Sequence, residues 1–262
     1  MYRISIVGAG NVAYRMSLFL QAAGHEIECV CARDLEKADK VVRALKRSKS
    51  DAVATNDFAQ LPSSDITIIA VSDNAIAQVA AQLPHKDAFT VHTSGATPMA
   101  VLHEAGLKNY GVFYPLMTLS MHKDLDIRLI PFLIEANTKE GENTLKTVVD
   151  SIKAEYKVCD SQKRLQFHTA AIFTTNFINY SLLLAYDIAS PDFTLLLPSA
   201  IESIRKAFLN TPLVSQTGPA RRGDTNTIEK HINVLSDEKF NDHLEVYKFL
   251  TEKIYKKYNS QE

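Results

Sequence analysis

The chain has 262 residues, with 29 Lys and Arg set against 30 Asp and Glu, and 46% of it is hydrophobic. That length suits two modest domains or one large one, and the composition is that of a soluble globular protein. The near-zero charge leaves no basic excess for a nucleic-acid partner, and three cysteines make no disulfide framework.

Residues 2–7 (YRISIV) are apolar and rich in β-branched side chains, which predicts a strand. Because Met1 leads straight into that strand, no targeting segment is expected and the setting is read as cytoplasmic. Gly8-Ala9-Gly10-Asn11-Val12-Ala13 follows at once and opens a helix expected to reach Ala23, with Gly24 as its C-cap. Residues 26–32 predict a second strand. This is the G-x-G-x-x-G/A pattern of dinucleotide binding in its strand, turn, helix, strand context. Gly8 makes the tight turn, Gly10 lets a pyrophosphate approach the backbone, and Ala13 lets the helix pack close to the strand. The free N–H groups of the first turn, at Asn11 and Val12, then face the phosphates.

Cys29 and Cys31 alternate on one face of the second strand and read as buried thiols, with no metal expected. The strand tip is neutral and Arg33-Asp34 follows it. A guanidinium there suits a ribose 2′-phosphate, so Arg33 favours NADP; Asp34 turned toward the ribose would favour NAD. Residues 35–45 predict a helix, and Lys46-Arg47-Ser48-Lys49 a solvated basic end that adds long-range attraction for an anionic cofactor.

Residues 65–71 (DITIIAV) form a near-continuous apolar strand, as inside a parallel sheet, with Val71, Ser72 and Asp73 at its carboxyl end. A helix over 75–83 and a strand over 88–93 come next, and the strand runs out into His92-Thr93-Ser94-Gly95. A helix over 97–105 leads to a short strand at 111–114, closed by Pro115. Ligands of open α/β sheets lie outside the carboxyl ends of the strands. The fingerprint, Arg33, Val71, Ser72, Asp73, Ser94 and Tyr114 all occupy such ends, with Thr93 and Gly95 placed to meet a substrate. A strand at 129–136, a helix at 139–152 and a last strand at 156–159 complete the pattern. The expected architecture is therefore α/β: a doubly wound, mostly parallel sheet over residues 1–160, followed by an all-α domain over 161–262.

In the helical half, residues 165–186 contain no Asp, Glu, Lys or Arg. Polar residues are scattered through the stretch, so it is read as one long helix buried on most sides, in a domain or dimer core, and not as a membrane span. His168, Thr175, Asn176 and Asn179 are offset by 7, 8 and 11 residues, which puts them in one quadrant of such a helix. His168 is the candidate proton donor, because histidine titrates near neutrality, and Asn176 and Asn179 are candidates to hold substrate. A helix over 198–209, a polar loop over 211–226, a helix over 227–235 and a final helix over 240–258 follow. The loop sequence Thr217-Gly218-Pro219-Ala220-Arg221-Arg222-Gly223-Asp224 sets two arginines on an unusual backbone. Arg221 and Arg222 would clamp an anionic substrate, with Asp224 beside them as a further substrate-binding candidate, and Asp224 or Asn226 would cap the next helix.

The fingerprint, the His92-Thr93-Ser94-Gly95 turn, the 111–115 strand and the 218–224 loop together resemble a group of Rossmann-like proteins with a helical C-terminal domain of unknown function. That group is similar in plan to pyrroline carboxylate reductases, phosphogluconate and hydroxyacid dehydrogenases, and deazaflavin-dependent NADP reductases. The resemblance spans nearly the whole chain. It implies an NADP-binding domain, a helical domain that dimerises and an active cleft between them. Hydroxyacid and phosphogluconate dehydrogenases use a lysine with an asparagine four residues on. Here the stretch has no such lysine; His168 stands in that region, with Ile172 four residues on and Asn176 eight on. Where the group has His-Pro after the sixth strand, this chain has Tyr114-Pro115, which makes Tyr114 a second proton-donor candidate.

The function expected is an NADP-dependent oxidoreductase acting on a small, anionic carbonyl or imine compound, as a homodimer with no nucleic-acid or membrane partner. A rival of another class is a silent dinucleotide sensor or interaction subunit, motivated by the missing lysine.

Overall fold

The computed structural model describes residues 1–46, 51–121 and 125–259. The basic residues expected at 47–49 lie outside them. In chain order the first elements are β1 (Arg3–Val7), α1 (Asn11–Ala22), β2 (Glu26–Cys31), α2 (Leu35–Lys46) and β3 (Val53–Thr55). Then come β4 (Ile66–Ile69), α3 (Ile76–Gln82), β5 (Phe89–His92), α4 (Ala100–Glu104) and β6 (Tyr110–Pro115). The sheet ends with β7 (Phe132–Ala136), α5 (Lys139–Ser151) and β8 (Tyr156–Val158). The remainder is helical: α6 (Ser161–Thr174), α7 (Asn176–Ala189), α8 (Leu197–Asn210), α9 (Pro212–Ser215), α10 (Pro219–Arg222), α11 (Thr225–Val234) and α12 (Asn241–Asn259).

The chain forms two compact units, Met1–Asn176 and Phe177–Glu262. The first holds an eight-stranded sheet in the order β3-β2-β1-β4-β5-β6-β7-β8. Every described pairing is parallel except β6 with β7. Strand order reverses at β1, between β2 and β4, which is the place where such sheets open a ligand crevice. The central strands are apolar on both faces because both are covered; all four residues of β4 are buried. One face packs Ile4, Ile6, Val91, Phe113 and Phe132 against α1, α2 and α5. The other packs Val7, Cys29, Cys31 and Ile69 against α3 and α4. Burial pushes the Cys29 thiol up to about 12 and the Cys31 thiol up to about 11, as for inert core groups.

Three expectations need correction. The stretch read as one long helix is two, because the backbone leaves helical geometry at Thr175 (φ −128°, ψ −71°). Thr174, Thr175 and Asn176 all have hydroxyl or amide groups that compete with the helical ladder, and the Thr175 hydroxyl bonds back to the Ala171 carbonyl at 2.7 Å. That stretch is also not buried on most sides in the single chain, since Phe173, Phe177, Leu183 and Tyr186 are all exposed. The loop expected over 211–226 contains α9 and α10, each opened by a proline, and α11 begins at Thr225 within it. Strand β3 was not anticipated. Among the described residues no helix is long and apolar enough to cross a membrane.

Candidate active site

The carboxyl ends of β1, β4, β5 and β6 share one edge of the sheet, since the four strands are parallel and in register. Gly8 leaves β1 with φ +127°, and its N–H donates to the Cys31 carbonyl at 2.7 Å. A Cβ there would overlap the Ala70 carbonyl, coming 2.7 Å from its carbon, so only glycine makes this turn. Gly10 is different: it is exposed, and among the described residues nothing lies within 4 Å of where its Cβ would be. It is the N-cap of α1 yet offers no side-chain cap, and the first turn has no acidic residue. By contrast Asp160 and Asp224 cap their helices with side-chain oxygens. The first-turn N–H groups of α1 therefore have no side-chain acceptor at Gly10, and none of the described residues crowds Gly10 at the positive end of the helix dipole. A pyrophosphate fits that arrangement. Asn11 is exposed and its Oδ1 accepts from the Met121 N–H at 3.3 Å, so its side chain braces the loop after β6. Val12 is half-buried.

At the tip of β2, Arg33 is exposed and forms no ion pair among the described residues. Asp34 is engaged. Its Oδ1 accepts from the Lys37 N–H at 3.3 Å and its Oδ2 pairs with the Lys37 ammonium at 3.3 Å. Those bonds hold its carboxyl below the usual range. Val71 packs beside Gly8, and Ser72 and Asp73 are exposed at the end of β4.

After β5 the chain makes a tight, buried turn. The Ser94 hydroxyl accepts from the Ala96 and Thr97 N–H groups at 3.1 and 2.9 Å, while the Ser94 N–H donates to His92 Nδ1 at 3.1 Å. Thr93 ties its own N–H to the Ile69 carbonyl. Ser94 and Thr93 thus shape the turn. His92 is wholly buried; burial and the Arg164 charge pull its pKa down to about 3, so it stays neutral.

The turn delivers Gly95 beneath two larger side chains. Tyr114 Oη and His168 Nδ1 are hydrogen-bonded at 3.0 Å, their rings edge to face with centroids 5.8 Å apart. A Cβ on Gly95 would lie 2.6 Å from His168 Nδ1 and 2.7 Å from the Tyr114 ring, so the absence of a side chain is what admits the pair. Burial raises the phenol pKa, as does the Asp73 charge, with Arg164 opposing. The phenol therefore keeps its proton at neutral pH. Two residues singled out separately, 54 apart in sequence, meet here.

Sequence reasoning missed what holds them. In sheet register, His92, Val112 and Glu135 stand side by side across β5, β6 and β7, on the face that also carries Tyr114. Arg164 of α6 is fully buried against that row. Its guanidinium pairs with Glu135 and donates to the Thr97 carbonyl at 2.7 Å and the Ser161 hydroxyl at 3.1 Å. Ser161 donates to Glu135 at 2.8 Å and accepts from the Met99 N–H at 2.9 Å. No motif announces this cluster, because its members come from four segments.

The other predicted substrate residues fall elsewhere. Asn176 starts α7 and accepts from the Thr175 hydroxyl at 2.8 Å; with the helix broken at Thr175, it does not share a continuous helical stripe with His168. Asn179, Arg221, Arg222 and Asp224 belong to the second unit. There Arg221 donates to the Gln216 carbonyl, donates to the Val214 carbonyl at 3.2 Å, and stacks on Tyr258, so its guanidinium serves its own loop. Arg222 is exposed and lies 4.0 Å from Asp224. Asp224 is the N-cap of α11, accepting from the Thr227 N–H at 3.1 Å.

Residues 3–94 match the family described as NADP oxidoreductase, coenzyme F420-dependent, and residues 130–254 match the domain of unknown function DUF2520. No curated protein matches the chain. Among solved structures, a Bacteroides fragilis protein assigned as an NADP oxidoreductase is 31% identical, with 97% of this chain and 98% of that chain covered and a TM-score of 0.86. A reductive aminase from Aspergillus terreus, solved with NADPH and ethyl-5-oxohexanoate, is 15% identical over 97% and 94%, with a TM-score of 0.67. A pyrroline-5-carboxylate reductase from Coxiella burnetii is 16% identical over 98% of both chains, with a TM-score of 0.52. The last two share the fold.

Proposed function

The chain belongs to the family of Rossmann-like oxidoreductases that the Bacteroides fragilis protein represents, and from that membership we propose that it transfers hydride between NADP(H) and a small carbonyl or imine compound. The observation that carries this reading is the Tyr114–His168 hydrogen bond over Gly95, at the sheet edge that also presents the uncapped start of α1. The bound nicotinamide supplies the hydride. Gly8, Gly10 and the first turn of α1 hold the pyrophosphate. Tyr114 and His168 supply the proton to the substrate oxygen or nitrogen. A proton given up by one is restored across the 3.0 Å bond by the other. The phenol, kept protonated by burial and by Asp73, guarantees the pair a transferable proton near neutral pH.

NADP is favoured over NAD because Arg33 is exposed and without an ion pair among the described residues, whereas Asp34 is bound to Lys37. No charge is assigned to the substrate, since Arg221 is engaged within its own loop and Arg222 lies beside Asp224. The missing lysine is the argument for a silent sensor; the tyrosine–histidine pair supplies a proton donor in its stead, so the enzyme reading stands ahead. A second copy of the chain is the proposed partner, through the exposed apolar residues of the second unit.

The test is a screen of carbonyl and imine compounds for NADPH oxidation, run with Tyr114→Phe and His168→Ala. Each variant should lose about 10²–10⁴-fold in turnover with NADPH affinity intact, the range for loss of a general acid. Wild-type protein that binds NADPH but oxidises it with neither class would overturn the proposal. Arg33→Ala should abolish the preference for NADPH over NADH, and equal wild-type binding of both would end the NADP assignment.

A further inference from the structure

The geometry points to Arg164 as the positioning residue of the Tyr114–His168 pair, joining through one guanidinium the three segments whose relative placement creates it. The inference rests on the proposal that this pair transfers the proton.

The pair needs three parts in register. Tyr114 stands on β6, His168 on α6, and the turn at Gly95 must pass beneath both with no side chain of its own. Arg164 reaches each part. It bonds Glu135 on β7, whose strand is paired with β6 so that Leu133 lies beside Tyr114 and Glu135 beside Val112. It bonds the carbonyl of Thr97, two residues beyond Gly95. It lies on α6 four residues before His168, one helical turn away and on the same side of the helix. Ser161 doubles the connection by joining Met99 to Glu135. A fork-shaped cation with several donors can serve three acceptors at once; an ammonium would meet them as a point charge.

Energetics also single the residue out. Arg164 is 0% exposed and its Nε has no partner among the described residues, so the chain carries the cost of burying a charge at this spot. A buried ion pair is not a general source of stability, because apolar replacements of similar volume do as well or better. Its presence makes sense if it fixes an arrangement that apolar packing would leave loose. The groups bearing on Tyr114 are Asp73, which pushes its pKa up, Arg164, which pulls it down, and His168 at hydrogen-bond distance. Arg164 therefore places the pair and moderates the acidity of its phenol.

Two variants test this. Arg164→Met strands Glu135 without its cation and is expected to lower the melting temperature. Arg164→Met combined with Glu135→Leu removes the whole pair, so it keeps the fold. NADPH affinity by fluorescence titration should match wild type in the double variant, because the fingerprint turn is untouched. The His168 imidazole signals in NMR should move to those of Tyr114→Phe, in which the hydrogen bond is absent by construction. The tyrosine titration should shift to higher pH. For any compound the wild type reduces, kcat should fall about 10²-fold, the usual result of a misplacement near 1 Å. A folded double variant with wild-type His168 signals and wild-type tyrosine titration would overturn the inference and reduce Arg164 to a structural ion pair. If the signals move as expected but no form of the protein oxidises NADPH, the positioning role stands and the proton-transfer reading fails.

Discussion

The two compact units bury their apolar residues very differently. In Met1–Asn176 a continuous core runs from Ile4 to Ile152, with most of its members under 2% exposed. Among the described residues of Phe177–Glu262 the buried apolar ones are Ala220 and Leu235, while Phe208 is 78% and Leu209 67% exposed. The first unit is a sheet covered on both faces, so its own chain closes its core. The second is a set of helices whose apolar faces exceed what so short a segment can cover. The difference teaches that the sheet closes most of its core with its own chain, whereas the second unit leaves apolar side chains exposed that the proposed second copy would cover.

The largest expected effect breaks that surface. Charges placed on it by Phe208→Asp and Leu183→Asp should convert the proposed dimer into a monomer, read by sedimentation, and lower the melting temperature. Each buried aromatic or leucine side chain is worth about 2 kcal/mol, and each appears twice in a symmetric interface. A wild-type chain that sediments as a monomer at micromolar concentration would dispose of the dimer. The matching disruption of the first unit is Gly8→Ala. It costs about 3 kcal/mol, because a Cβ must displace the Ala70 carbonyl and hold φ near +127°. Chemical denaturation should show the loss in the transition of the first unit, with nucleotide binding lost alongside.

A smaller effect comes from pH. His92 is held near 3, below its ordinary 6.5, by burial and by Arg164. Between those values the unfolded chain takes up a proton that the folded chain refuses. Stability is therefore full above pH 6.5 and declines as the pH falls toward 3, by up to about 1.4 kcal/mol per pH unit. At pH 5 the deficit is about 2 kcal/mol. His92→Gln should flatten this slope in pH-dependent denaturation, and an unchanged slope would assign the acid sensitivity elsewhere.

How much of this was legible in the sequence follows from the range of the interactions. The β1–α1–β2 unit is local: its glycines, small residue and strand pattern lie within thirty residues, and the structure places the three elements close to where they were read. Tyr114 and His168 were each visible, one before a proline and one in an uncharged stretch. Their bond was not, because it depends on α6 docking across a sheet face 54 residues away. Arg164 and Glu135 carried no signal, since a buried arginine looks like a surface arginine until its acceptors are known. Strand β3 is three residues with an alanine at its centre, too short for a period to show. The break at Thr175 lacks Gly or Pro, so no strong breaker marks it in the sequence; what stands there is a threonine whose hydroxyl bonds back to the Ala171 carbonyl.

The smallest effect sharpens the comparison at the edge of the complete unit. Helix α5 ends in a left-handed residue, as helices often do, but the residue is Lys153 at φ +56°. The backbone bonds around it are those of a glycine-terminated helix: Lys153 N–H donates to the Asp150 carbonyl at 3.0 Å and Ala154 N–H to the Val149 carbonyl at 3.4 Å. The lysine side chain is exposed and makes no ion pair among the described residues, so replacing it forfeits little. A Cβ in this conformation costs about 1 kcal/mol that glycine avoids. Glycine's freer unfolded chain returns part of that gain. Lys153→Gly should therefore stabilise the first unit by a few tenths to about 1 kcal/mol, measured by denaturant midpoint at unchanged slope. A destabilised variant would mean that the lysine stem packs on α5 more than its exposure implies.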